Sequence, residues 1–124
     1  MAKILVAVPD RDKRELYIFA LRFAGHQLFG ASDIQEVEQL VRENRIELAL
    51  MDVSILKEVE RAPRPISPAK LDLDIPIIYL GDQERPPEKL HSIKSTVWEY
   101  LSRPLSLDQL TKRVNQALKK AKKR

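Results

Sequence analysis

The residues best placed to do chemistry are three carboxylates and one cation at the ends of apolar runs. Asp52 lies near the end of the run Leu48 to Val53, Asp10 follows KILVAV and Pro9, and Asp82 follows Gly81 after the run that starts at Ile75. Arg103 comes just after a fourth run, Val97 to Leu101. A carboxylate in such a position can accept a phosphoryl group, ligate a hard divalent cation, or pair with a guanidinium. Other chemistries lack their parts. There is no cysteine, so disulfides, Cys-ligated zinc and a Cys nucleophile are excluded. With three glycines in the chain there is no Gly-rich phosphate loop. His26 and His91 stand alone, with no carboxylate at ligand or base spacing, and read as surface or rim residues. Nothing resembles a nucleophile–base–orienter triad.

These residues need elements to hold them. Ile4 to Val8 is too short for a buried helix and reads as a strand covered on both faces. Leu16, Phe19, Ala20 and Phe23 recur at helical spacing, and Gly25 stops that helix. His26 to Gly30 alternates weakly, as an edge strand does. Ser32 with Gln35 predicts a capping box opening a second helix, with Ile34, Val37 and Val41 as its inner face. Leu48 to Val53, Ile75 to Leu80 and Val97 to Leu101 are further strands, with a short helix over Pro87 to Lys94. Ser106 with Gln109 predicts a second capping box. The final helix then carries Leu107, Leu110, Val114, Ala117 and Ala121 on one face. Pro63, Pro65 and Pro68 forbid a regular helix between residues 62 and 68, because proline removes a donor and clashes with the preceding turn.

Strands alternating with helices imply right-handed crossovers and a parallel sheet. The expected fold is α/β: a doubly wound five-stranded parallel sheet, order 2-1-3-4-5, in a three-layer sandwich. Residues 1–124 form one domain, with 117–124 as the basic end of its last helix. Sites in such sheets lie at the carboxyl ends of the strands, beside the point where strand order reverses. Pro9, Asp10, Asp52, Gly81, Asp82 and Arg103 are therefore expected around one crevice.

The 124 residues fill a single domain and can bury a core without staples. No apolar run is long enough to cross a bilayer, and MAKILVAV meets charge too soon for a signal peptide, so a cytoplasmic protein is expected. The formal charge is +4, yet Lys119, Lys120, Lys122, Lys123 and Arg124 carry five positive charges between them. The body is thus close to neutral. A basic helix end suits the helix dipole, so nucleic acid is not the expected partner.

The segments KILVAV, DRDKREL, GHQLFGASDIQEVEQL, ELALMDVS, DIPIIYLG and EYLSRPLSLDQL, in that order, resemble the receiver domain of two-component response regulators. The resemblance covers nearly the whole chain and implies roles position by position. Asp52 corresponds to the phosphoacceptor. Val8 and Pro9 stand where the family has an acidic pair that holds magnesium, and neither has a side-chain oxygen. Asp10 sits one place too late and, with Asp52, is a weak metal candidate. Gly81 replaces the Ser or Thr that ends the fourth strand, and Arg103 replaces a lysine. Tyr100 corresponds to the switch aromatic. Ser54 and Asp82 complete the lining of the site. The family's Pro-Gly turn after the phosphoacceptor is missing, and its cis peptide before proline would fall at Arg103–Pro104.

The resemblance implies a signalling module rather than an enzyme. With these replacements it is read as a degenerate receiver that acts by binding a protein, with no cofactor. The alternative is a divergent receiver accepting phosphate on Asp52 from a histidine kinase with magnesium, and a third reading is a small nucleic-acid-associated protein using the basic tail. A histidine kinase or a downstream effector is the expected class of partner. The expected face is the fourth helix, fifth strand and last helix, carrying Lys89, Trp98, Lys112 and Arg113, through which two copies could also pair. No membrane contact is expected.

Overall fold

A computed structural model describes residues 2–61, 75–87 and 98–122. The chain runs β1 (Lys3–Ala7), α1 (Arg11–Phe23), β2 (Gln27–Ala31), α2 (Ile34–Glu43), β3 (Leu48–Asp52), α3 (Ser54–Arg61), β4 (Ile77–Gly81), β5 (Trp98–Ser102) and α4 (Leu107–Lys122). The five strands form one sheet in the order β2-β1-β3-β4-β5, and every pair is parallel. This is the expected doubly wound order. The proline-rich stretch 62–68, the short helix expected over 87–94, and the side chain of Trp98 lie outside the described residues, apart from Pro87.

Alternation along the strands divides the core in two. Leu5, Ala7, Ala49, Met51, Ile77 and Tyr79 face one side, with Ile34 and Val37 of α2 and Ile55 of α3 packed on them. Ile4, Val6, Leu48, Leu50, Ile78 and Leu80 face the other, under Tyr17 and Leu21 of α1 and Leu110, Val114 and Ala117 of α4. Burial pushes the Tyr79 phenol up to about 12.

Two local expectations need correction. α2 is capped by Asp33, not by Ser32 with Gln35. The Asp33 carboxylate accepts from Glu36 N at 2.9 Å, and Glu36 reaches back to the Ser32 hydroxyl. The box is shifted by one residue because the short anionic side chain takes the orphan amide. In α1 the apolar stripe faces outward. Tyr17 and Leu21 are buried, whereas Leu16, Phe19 and Phe23 are exposed. The helix does stop as expected: Gly25 has φ +98°, and its N–H bonds the Arg22 carbonyl. The second capping box also forms, with Gln109 N bonded to Ser106 Oγ at 3.1 Å. α3 was not anticipated. It starts at Ser54, directly after the phosphoacceptor-equivalent strand end, where a Pro-Gly turn would have delayed it.

Candidate functional site

The parallel register brings the ends of three strands, β3, β4 and β5, to one edge. Asp52 pairs with Leu80 across β3 and β4, and Gly81 pairs with Ser102 across β4 and β5. Arg103 follows immediately, its N–H bonded to the Gly81 carbonyl at 2.7 Å, and the Arg103–Pro104 peptide is cis. Asp52 is 7% exposed, a buried charge at a strand end that must be compensated.

Compensation comes from Arg103. Its Nη2 lies 2.8 Å from Asp52 Oδ2, and its Nε donates to Asp82 Oδ1 at 2.8 Å. The other Asp52 oxygen accepts from Ser54 N at 2.9 Å. One planar guanidinium thus bridges the carboxylates after β3 and β4, which a lysine's point charge would not do in the same way. Burial alone would lower the Arg103 pKa, but hydrogen bonds to Asp82, Asp52 and Tyr17 outweigh it and raise the value overall. The Arg103 hydrogen bond holds Asp82 below the usual carboxylate range.

Tyr100 closes the crevice from β5. Its phenol donates to the Gln83 carbonyl at 2.6 Å, and its ring lies over Gly81. A Cβ on Gly81 would come within 2.9 Å of Tyr100 Cε1 and 3.1 Å of Cζ, with the phenol oxygen closer still. The missing side chain at Gly81 is what gives the ring its place. Burial raises the Tyr100 pKa, with the Gln83 carbonyl opposing and Asp82 adding to the rise.

The remaining expected residues are arranged differently. The crevice, about 350 Å³, is lined by Asp52, Ser54, Asp82, Tyr100 and Arg103, together with Val53, Leu56, Lys57, Gln83 and Pro87. Val8 does not line it: its side chain is fully buried in the α1–α4 core. Pro9 and Asp10 are exposed and lie outside the crevice, and Gly81 contributes space rather than surface. Asp10 caps α1, accepting from Lys13 N at 3.0 Å, and that bond lowers its pKa. Lys57 and Gln83 were missed. Lys57 follows Ser54 by one helical turn, a signal that depends on recognising α3.

Magnesium needs oxygen ligands in near-octahedral order. Val8 is core, Pro9 has no side-chain oxygen, Asp10 is engaged by an amide, and both Asp52 oxygens are in use. Among the described residues no three His, Cys, Asp or Glu side chains converge as a metal cluster. The residues present do not fit the ion.

The expected partner face is partly visible. Lys112 and Arg113 line a groove of about 570 Å³ between β5 and α4, with Tyr100 and Gln109. Arg113 and Lys120 both approach Glu99, at 3.9 and 3.7 Å. Trp98 opens β5. Lys89 lies outside the described residues.

No protein-family model matches the sequence. It is 25% identical over 119 residues to the phosphate regulon transcriptional regulatory protein PhoB of Pseudomonas aeruginosa, covering 94% of this chain and 52% of that protein. It is 27% identical over 124 residues to the response regulator MprA of Mycobacterium leprae, covering 97% and 52%. The solved receiver domain of a Francisella response regulator superposes with a TM-score of 0.73 at 24% identity, over 97% of this chain and 98% of that one. The chain has the fold of a response-regulator receiver domain and is similar to response regulators along nearly its whole length. The chain spans about half the length of these two relatives. Among its described residues no helix is long and apolar enough to cross a membrane.

Proposed function

We propose that this receiver signals by binding a protein partner, without magnesium-dependent phosphorylation and without an enzymatic activity of its own. The observation that carries the reading is the Arg103 guanidinium, 2.8 Å from Asp52 and 2.8 Å from Asp82. Phosphoryl transfer to Asp52 would bring anionic oxygens against a carboxylate, and their repulsion must be offset by cations free to approach. The cation nearest Asp52 is already shared between two carboxylates, and the donor set for magnesium is not there. Tyr100, seated over Gly81 and bonded to the Gln83 carbonyl, supports the same reading, because packing and a hydrogen bond already hold the ring in place.

In this reading the β5–α4 groove with Lys112 and Arg113 is the docking face, and the partner is a histidine kinase or a downstream effector working at the cytoplasmic side. The alternative, a receiver phosphorylated on Asp52, rests on the position of that carboxylate in an open crevice with Lys57 on its rim. The two separate in cells that carry the protein. Asp52→Asn is expected to keep the signalling output, while Lys112→Glu with Arg113→Glu is expected to abolish it. Loss of output in Asp52→Asn, with the groove variant unaffected, is the result the phosphorylated reading requires.

A further inference from the structure

α4 turns Leu110, Val114, Ala117 and Leu118 into the sheet. Its other side is uniform in chemistry. Between Gln109 and Lys120 every exposed residue is a glutamine, an asparagine, a lysine or an arginine. At 100° per residue, Gln109, Lys112, Arg113, Gln116, Lys119 and Lys120 fall on one stripe, roughly 120° wide. The stripe has an order across its width. Gln109 and Gln116 run along its middle, Lys112 and Lys119 along one margin, and Arg113 and Lys120 along the other. Charge is also divided between the two helical layers. α4 sets Lys112, Arg113, Lys119, Lys120 and Lys122 against Asp108 in its first turn. α2, on the opposite face of the sheet, sets Glu36, Glu38 and Glu43 against Arg42.

Two observations take these cations beyond a solvated helix end. The helix dipole acts within the last turn, and Lys112 and Arg113 stand well before it. Arg113 and Lys120 approach Glu99 at 3.9 and 3.7 Å, too long for hydrogen bonds, and their side chains stay 52% and 68% exposed. Both keep donors for an anion from outside. We propose that the stripe binds duplex DNA, with α4 lying in the major groove. That groove admits an α-helix. Cations on both margins then meet phosphates of the two strands, while the amides between them face base edges, where a glutamine bonds adenine through two hydrogen bonds. A membrane surface fits less well, because an interfacial helix needs an apolar face to bury, and that of α4 is committed to the sheet. Single strands are held by stacked aromatic rings, and the stripe has none. The major groove of an RNA duplex is too narrow to be read by side chains. This activity is additional to protein binding through the β5–α4 groove, which shares Lys112 and Arg113.

The test is fluorescence anisotropy of a short labelled DNA duplex of mixed sequence, titrated with the 124-residue chain at several salt concentrations. Phosphate contacts from Lys112, Arg113, Lys119 and Lys120 predict that log affinity falls with log salt at a slope of about −3.6 or steeper. Lys112→Glu with Lys119→Glu is expected to weaken binding by roughly tenfold or more at an unchanged melting temperature. Should the melting temperature fall, Gln116→Glu, which sets an anion in the middle of the stripe, carries the same test. Lys123→Gln with Arg124→Gln is expected to weaken binding less than the helix variant does. Four results each overturn the proposal. No binding to the duplex at low salt leaves the stripe a solvated face. Binding that the helix variant keeps, and that the Lys123 and Arg124 variant loses, belongs to the chain end. An RNA duplex or a single strand bound as tightly as the DNA duplex removes the groove. Binding to vesicles of anionic lipid, with none to the duplex, gives the face to a membrane.

Discussion

Removing the Arg103 guanidinium leaves Asp52, 7% exposed, without the cation that compensates it. Arg103→Ala is expected to lower stability by about 2–3 kcal/mol, the cost of stranding a largely buried carboxylate. Arg103→Ala with Asp52→Asn should recover part of that loss, since the stranded charge is gone; a double variant whose cost is the sum of the singles contradicts the pairing. Urea denaturation measures both. Asp82 makes a pH-dependent contribution through the same cation. Its folded pKa lies below the ordinary 3.8, so the folded state holds the anion more strongly than the unfolded chain does. The contribution is complete above the ordinary value and disappears as pH falls through the folded one. Asp82→Asn is therefore expected to lower the melting temperature near neutral pH and to match the wild type in strong acid. Gly81 and Tyr100 form a second coupled pair. Gly81→Ala should displace the ring and destabilise the domain, whereas the same change in a Tyr100→Ala background should be close to neutral.

At the scale of elements, each helix shows how far sequence pattern reaches. The strands were legible because fully buried parallel strands are short apolar runs, and β1, β3 and β4 are just that. Their ends carry the site, so the run boundaries alone bring Asp52, Asp82 and Arg103 together. No helix was expected over SILKEVER, which begins two residues after Asp52. Lys57 went with it. Periodicity found α1 but not its buried side: Leu16, Phe19 and Phe23 share a face, yet the sheet takes Tyr17 and Leu21. A helix with apolar residues on two sides does not reveal which side meets the core. The α2 cap was misplaced by one residue, because Ser32 and Asp33 both fit the role and only backbone geometry selects between them. Asp33→Ala is expected to cost about 1 kcal/mol of stability, as loss of an N-cap does, while Ser32→Ala costs less; thermal denaturation of the two variants compares them directly.

Across the whole molecule, the fold keeps the receiver's frame and fills its site with the chain's own groups. The sheet order and the strand-end crevice are those of the receiver fold, and they place Arg103 where it reaches Asp52 and Asp82 at once. Where the resemblance implies an acidic pair there are a core valine and an exposed proline, and the next carboxylate serves a helix cap. Together these leave the crevice set by packing and internal ion pairs. The most direct test is to incubate the protein with a small-molecule phosphodonor and magnesium and to measure its intact mass. An unchanged mass, the same for wild type and Asp52→Asn, is the predicted result. Addition of one phosphate to the wild type, but not to Asp52→Asn, would contradict the account and make Asp52 a working phosphoacceptor.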